Sequence, residues 1–172
     1  MSSPSSQRGD RVGSNFAGMT TIQSRRLPRR ADAFMVPQPL TEDGRFQVDA
    51  TWGTVQPIEL APGVRTIGEL ELIDHVRRDL ALVDARVERF HLDSTIPGAA
   101  NIPHENVLAR MNELDPHHPT VFFCNGPQCE ATPDAIRTLL AAGHPAGAIL
   151  YYRGGMHDWM TLGYPTVPGA GG

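Results

Sequence analysis

The two thiols of this chain, Cys124 and Cys129, stand four residues apart in the stretch TVFFCNGPQCEATPDAIRTLL. A short apolar run stops at Cys124, a loop of small and polar residues follows, and Thr132-Pro133 signals the start of a helix. A cysteine reacts and binds as its thiolate. A helix start offers unpaired N–H groups and a partial positive charge, both of which favour the anion. This placement predicts a Cys124 pKa below the usual ~8.5 and marks Cys124 as a nucleophile. Cys129 has three readings. It could attack a species formed on Cys124, guard Cys124 against overoxidation, or serve as a small apolar filler beneath the loop.

The elements around the loop explain how it is positioned. Residues 66–78 read as a helix capped by Thr66, with Glu69 three positions on and Ile67, Leu70, Ile73 and Val76 on one face. LALVDAR (80–86) and AANIP (99–103) read as buried strands, with a helix over 105–114 after them. TVFFC is a third strand, TPDAIRTLLAAGH a helix closed at Gly143, AGAILYY a last core strand, and MHDWMTLGYP a short final helix. Strands alternating with helices imply an α/β fold, a central mostly parallel sheet flanked by helices on both faces. Ligands of such sheets sit beyond the carboxyl ends of the strands, where Cys124 falls.

Four pieces in this order resemble the rhodanese (sulfurtransferase) superfamily. They are the Asp-x-Arg of LALVDAR, STIPGAANIP, the strand VFFC running into a loop and helix, and YYRGGMHDWMTLGYP. The resemblance, of the single-domain type with a CNGPQC loop, covers roughly residues 57–167. It implies that Cys124 takes sulfane sulfur from thiosulfate or a persulfide, becomes a persulfide itself, and passes the sulfur on. The acceptor would be cyanide, a small thiol or a protein thiol. Backbone N–H groups of the loop would cradle the persulfide, with Asn125, Gly126, Gln128, Cys129, Glu130 and Arg153 as the substrate-binding set. Asp84 and Arg86 would order the strand end beside the site. No cofactor is implied.

This loop departs from the family pattern. Counted to a helix start at Thr132, Cys124 to Ala131 spans eight residues where six are usual. Pro127 removes one N–H donor, no Arg or Lys lies between 125 and 131, and Glu130 adds a negative charge. Arg153 could offset that charge, against the plainer reading of a solvated surface arginine. Phosphatases and arsenate reductases of the same fold use longer loops, but they need an Arg closing the loop to grip an oxyanion. Here Cys129, Glu130 and Ala131 stand in that place. A regulatory or redox-sensing module that uses a Cys124–Cys129 disulfide is the main alternative to sulfur transfer.

Composition bounds the rest. The chain has 172 residues, enough for one ordinary domain, with net charge −4, 40% hydrophobic and 6% aromatic residues. No apolar run approaches the ~18–20 residues of a membrane span, so no membrane partner is expected. Residues 1–30 hold six Arg against one Asp, and the remainder is correspondingly acidic. A solvated tail over 1–33 is expected in preference to a nucleic-acid contact, followed by an extended arm over 34–56 anchored by Trp52 and a flexible end over 168–172. SRRLPRR is not read as a twin-Arg export signal, because an apolar core does not follow it, so the expected location is cytoplasmic. His117 and His118 lie roughly 15–20 Å from Cys124 along an extended strand and cannot share a metal with it, so no metal site is expected. His91, His104 and His157 read as surface or supporting residues, and Trp159 as core.

Overall fold

The computed structural model describes residues 36–39, 46–47 and 54–171. Trp52 and residues 1–35 lie outside the described residues. Gln38–Pro39 (β1) and Phe46–Gln47 (β2) pair antiparallel. The domain body runs through Arg65–Thr66 (β3), Glu69–Arg77 (α1), Leu82–Asp84 (β4), Glu88–Asp93 (α2) and Ala100–Asn101 (β5). It continues with Thr120–Phe123 (β6), Ala131–Ala141 (α3), Ile149–Tyr151 (β7) and Gly155–Thr161 (α4). The five strands β3 to β7 form an all-parallel sheet in the order β3-β7-β6-β4-β5.

Alternation along the strands divides the core in two. Val83, Phe122, Ile149 and Tyr151 face Ala135, Ile136 and Leu139 of α3. Leu82, Val121, Phe123 and Leu150 face Leu72 of α1 with Met156 and Trp159 of α4. Helices therefore cover both faces. The centre of the sheet is consequently mostly apolar, and all four residues of β6 are buried. Phe122 and Phe123 are fully buried on opposite faces, each contributing about 1.5–3 kcal/mol. Trp159 is core, with Nε1 donating to the Pro165 carbonyl at 2.8 Å.

Three local expectations are corrected. The first helix starts at Glu69, with Gly68 as its cap and the Glu71 carboxylate accepting the Gly68 amide at 3.3 Å. Thr66 belongs to β3 instead, its hydroxyl donating to the Ile58 carbonyl. The helix's inward face consequently turns: Leu72 is buried and Leu70 is exposed. Residues 105–114 form two single 3₁₀ turns, His104–Asn106 and Met111–Glu113, rather than one α-helix. Val107 and Leu114 reach the core from these turns, while Arg110 donates to the Asn101 carbonyl at 2.7 Å. Finally, α3 starts at Ala131, so Pro133 is its third residue. A first-turn N–H has no intrahelical partner, so proline is tolerated there.

Candidate active site

Cys124 follows the last residue of β6 and is 2% exposed; Cys129 is 3% exposed. The loop between them curls back on itself through the Cys129 N–H, which donates to the Gly126 carbonyl at 3.0 Å. Two other segments fix the curl. The Met156 and His157 amides, in the first turn of α4, donate to the Cys124 and Asn125 carbonyls at 2.9 and 2.8 Å. From the amino-terminal side, the Gln56 amide donates to the Pro127 carbonyl at 2.7 Å, and the Gln56 carbonyl accepts from Arg153 Nη1 at 2.8 Å.

The Gly-Gly pair after β7 is a packing requirement of this arrangement. Gly155 has φ +56, and a Cβ there would stand 2.4 Å from the Cys124 carbonyl oxygen and 2.7 Å from the Gly126 nitrogen. Gly126 is confined from the other side, where a Cβ would stand 2.7 Å from His157 Cβ. Glycine at these positions lets two loops touch backbone to backbone.

The Cys124 thiol donates to the Cys129 carbonyl oxygen at 3.8 Å, and the Asn125 side-chain Nδ2 donates to Cys129 Sγ at 4.0 Å. Here the expectation of a depressed Cys124 pKa is corrected. Burial pushes the Cys124 thiol well up, the neighbouring Cys129 adds to this, and the Thr132 side chain and amide offset only part of it. Cys129 is instead drawn down to about 7. The neighbouring Cys124 thiol is the main cause; burial opposes it, and the Ala131 and Asn125 amides and the Arg86 charge assist. The amides of the loop and helix start therefore favour both sulfurs as anions, two of them acting on Cys129 and that of Thr132 on Cys124. The pair loses its first proton as a unit, with the negative charge resting on Cys129.

Asp84 and Arg86 form a buried hub beside the pair. Arg86 Nε and Nη2 grip the Asp84 carboxylate at 2.9 and 2.6 Å. The Thr95 hydroxyl donates to the same carboxylate at 2.9 Å, and His91 Nδ1 lies 3.2 Å from it. Burial pushes the Asp84 pKa up, but the hydrogen bonds from His91 and Arg86 and the Arg86 charge outweigh this and hold it below the usual carboxylate range. Arg86 Nη2 also donates to the Ser94 carbonyl at 2.5 Å, and Gly169 N–H to the His91 carbonyl at 3.1 Å. The hub thus joins β4, α2 and the carboxyl-terminal segment, and its buried positive charge favours the Cys129 thiolate.

The remaining candidates fall around this centre. Asn125 and Gly126 are buried, Gln128 is half-buried, and Glu130 is exposed at the cap of α3. Arg153 is half-buried against the Gln56 backbone rather than free in solvent. Gln56 and Tyr151 went unmarked in the sequence, and Thr132 was marked only as a helix start. The Tyr151 hydroxyl is buried and lacks a hydrogen-bond partner. Burial and the charge of the two thiols push its pKa above the ordinary phenol value. Its signal was available: a tyrosine on β7, next in the sheet to β6. His91, read as a supporting residue, is buried against Asp84. Among the described residues, no three or more His, Cys, Asp or Glu gather as metal ligands would, and no helix is long and apolar enough to cross a membrane.

Similar proteins agree with this geometry. Residues 92 long in this chain are 34% identical to the HTH-type transcriptional regulator Rv0324 of Mycobacterium tuberculosis, a match covering 54% of this chain and 39% of that protein. The chain therefore spans well under half the length of that relative. The fold is similar to that of a thiosulfate sulfurtransferase from Pseudomonas aeruginosa, with TM-score 0.53 and 24% identity over 66% of this chain and 22% of the other. It is also similar to a protein from Lactobacillus plantarum, with TM-score 0.52 and 20% identity over 59% and 86% of the two chains. These structural likenesses bear on the fold alone. Residues 70–162, more than half of the chain, match the family model of the rhodanese-like domain, and the chain belongs to that family.

Proposed function

We propose that this domain is a sulfurtransferase in which Cys124, within the CNGPQC loop, carries sulfane sulfur as a persulfide. The observation that carries the reading is the thiol pair itself. A buried sulfur at the end of a central parallel strand shares one curled loop with a second buried sulfur that ionises near neutral pH. Transfer of the Cys124 proton to the Cys129 thiolate leaves Cys124 as the thiolate. That thiolate attacks the outer sulfur of thiosulfate or of a persulfide. The new bond joins Cys124 Sγ to the sulfane sulfur, and the old S–S bond breaks, sending sulfite or a thiolate away with its electron pair. A small thiol, cyanide or a protein thiol is the acceptor. Loop amides and Arg86 supply the positive field for the bound anion. The donor reaches Cys124 when the backbone clamp at Gln56 and Arg153 loosens. A pair of reduced thiols suits a reducing compartment such as cytoplasm.

The test is sulfite release. Reduced protein given thiosulfate and a small thiol acceptor is expected to liberate sulfite in step with sulfur transferred, and Cys124→Ser to liberate none. Equal release from both chains, or no sulfite from thiosulfate together with no sulfur taken up by the parent chain from a polysulfide, overturns the reading.

One observation favours a second reading. Both thiols are nearly sealed within one curled loop, which suits a module that senses oxidation by forming a disulfide. The regulator name of the mycobacterial relative is consistent with it. Phosphoryl transfer gains no such support, since Arg86 is committed to Asp84 and Arg153 to the Gln56 carbonyl.

A further inference from the structure

The surroundings of Cys129 are not those of an apolar filler. The Asn125 side-chain NH₂ donates to its sulfur at 4.0 Å and the Cys124 thiol lies 3.8 Å from its carbonyl oxygen, while Cys124, the amides of Ala131 and Asn125 and the Arg86 charge act electrostatically on it. Together these favour a thiolate. The loop is closed over both sulfurs and held from two sides by His157 and Gln56. A sulfur placed on Cys124 therefore meets one ready nucleophile inside the closed site, while any acceptor from solution must first displace the loop.

We propose that Cys129 is the resolving thiol of this site: it attacks the Cys124 persulfide, expels hydrosulfide and leaves a Cys124–Cys129 disulfide. The inference rests on the sulfur-transfer reading above and adds the fate of the sulfur. The step balances. The Cys129 thiolate bonds to Cys124 Sγ, the bond from Sγ to the outer sulfur breaks, and that sulfur leaves as HS⁻ with the electron pair and the proton it carried. Over loading and resolution together, the two cysteine sulfurs are oxidised by one electron each, and the sulfane sulfur takes up both electrons. An external small thiol or dithiol then reduces the disulfide and resets the pair. The product is thus hydrosulfide, and the sulfane sulfur is reduced rather than handed on intact. Closing the bond joins, at ~2.05 Å, two buried sulfurs of one curled loop in which Cys124 Sγ lies 3.8 Å from the Cys129 carbonyl oxygen. Being intramolecular, the step needs no second thiol in solution.

The experiment uses the full chain, reduced and then freed of thiol, with thiosulfate and, in parallel, a polysulfide as donors. Hydrosulfide is trapped with a bimane reagent and the protein is weighed intact. The parent chain is expected to release one equivalent of hydrosulfide from thiosulfate and to become lighter by two hydrogens. Cys129→Ser is expected to gain one sulfur atom, hold it, and release no hydrosulfide until a thiol is added. If both chains hold the added sulfur and neither releases hydrosulfide, the resolving role is refuted while the persulfide reading stands. If neither chain takes up sulfur from either donor, both fall. Cys129→Ala is run beside the serine variant, so that a folding defect peculiar to one does not decide the outcome.

Discussion

Replacing Asp84 by Asn changes one charge and almost no volume, and it addresses the most heavily bonded group beside the site. The wild-type carboxylate accepts from Arg86 Nε, Nη2 and backbone N–H and from the Thr95 hydroxyl, with His91 Nδ1 also in contact. Arg86 is 2% exposed, so the amide leaves a buried guanidinium without its counter-charge. Breaking a buried ion pair from one side costs about 3–5 kcal/mol, a large share of the ~5–15 kcal/mol of a typical domain. For a domain of this size that lowers Tm by roughly 10–20 °C. Thr95→Val removes one neutral donor from the same carboxylate and costs only about 1 kcal/mol. Urea unfolding followed by far-UV circular dichroism compares the two variants.

The pH dependence gives an independent check. The Asp84 pKa is depressed on folding, so its contribution is fully present above the unfolded value of ~3.9 and is lost as pH falls through the folded value. The gap between wild type and Asp84→Asn is therefore flat from about pH 5 to 8 and narrows below ~4. An Asp84→Asn cost no larger than that of Thr95→Val, or a gap that widens in acid, refutes the reasoning.

Three further outcomes are expected. Iodoacetamide alkylation in the wild type rises through pH ~7, with the label on Cys129 first, and Cys129→Ser shifts the remaining reactivity well to the alkaline side; mass mapping that finds Cys124 labelled first at neutral pH contradicts the charge assignment. Gly155→Ala drives a Cβ into the backbone of Cys124 and Gly126 and costs about 1–3 kcal/mol, with sulfite release falling more than tenfold; unchanged unfolding and kinetics count against the backbone contact. Arg153→Gln removes the charged donor on the Gln56 carbonyl, which is worth about 1 kcal/mol, so neutral iodoacetamide reacts roughly fivefold faster as the clamp opens; an unaltered rate shows that Gln56 does not gate the loop.

The sheet was the most legible part of the sequence, because LVD, TVFF and ILY are short apolar runs bounded by turn residues, and the central strands are buried on both faces. The end of α3 at Gly143, with φ +89, was equally plain. Helix starts were less so. Thr66 and Thr132 are both good capping residues, but Thr66 is held in β3 and Thr132 lies buried inside α3. The loop is one residue shorter than Thr132 suggested. In the site, the cysteine positions were readable from spacing, whereas the division of charge between them was not. That division depends on which sulfur the amides of Asn125, Ala131 and Thr132 face and on a buried Arg86 brought in from β4. The Gln56 clamp joins residues far apart in the chain through backbone atoms, which no residue pattern encodes.

The central claim is that Cys124 carries the sulfur, although Cys129 carries the resting charge. The direct measurement is the intact mass of two reduced variants after exposure to thiosulfate. The account predicts one added sulfur on Cys129→Ser and none on Cys124→Ser. Sulfur found on Cys124→Ser and missing from Cys129→Ser would contradict it and transfer the nucleophile to Cys129.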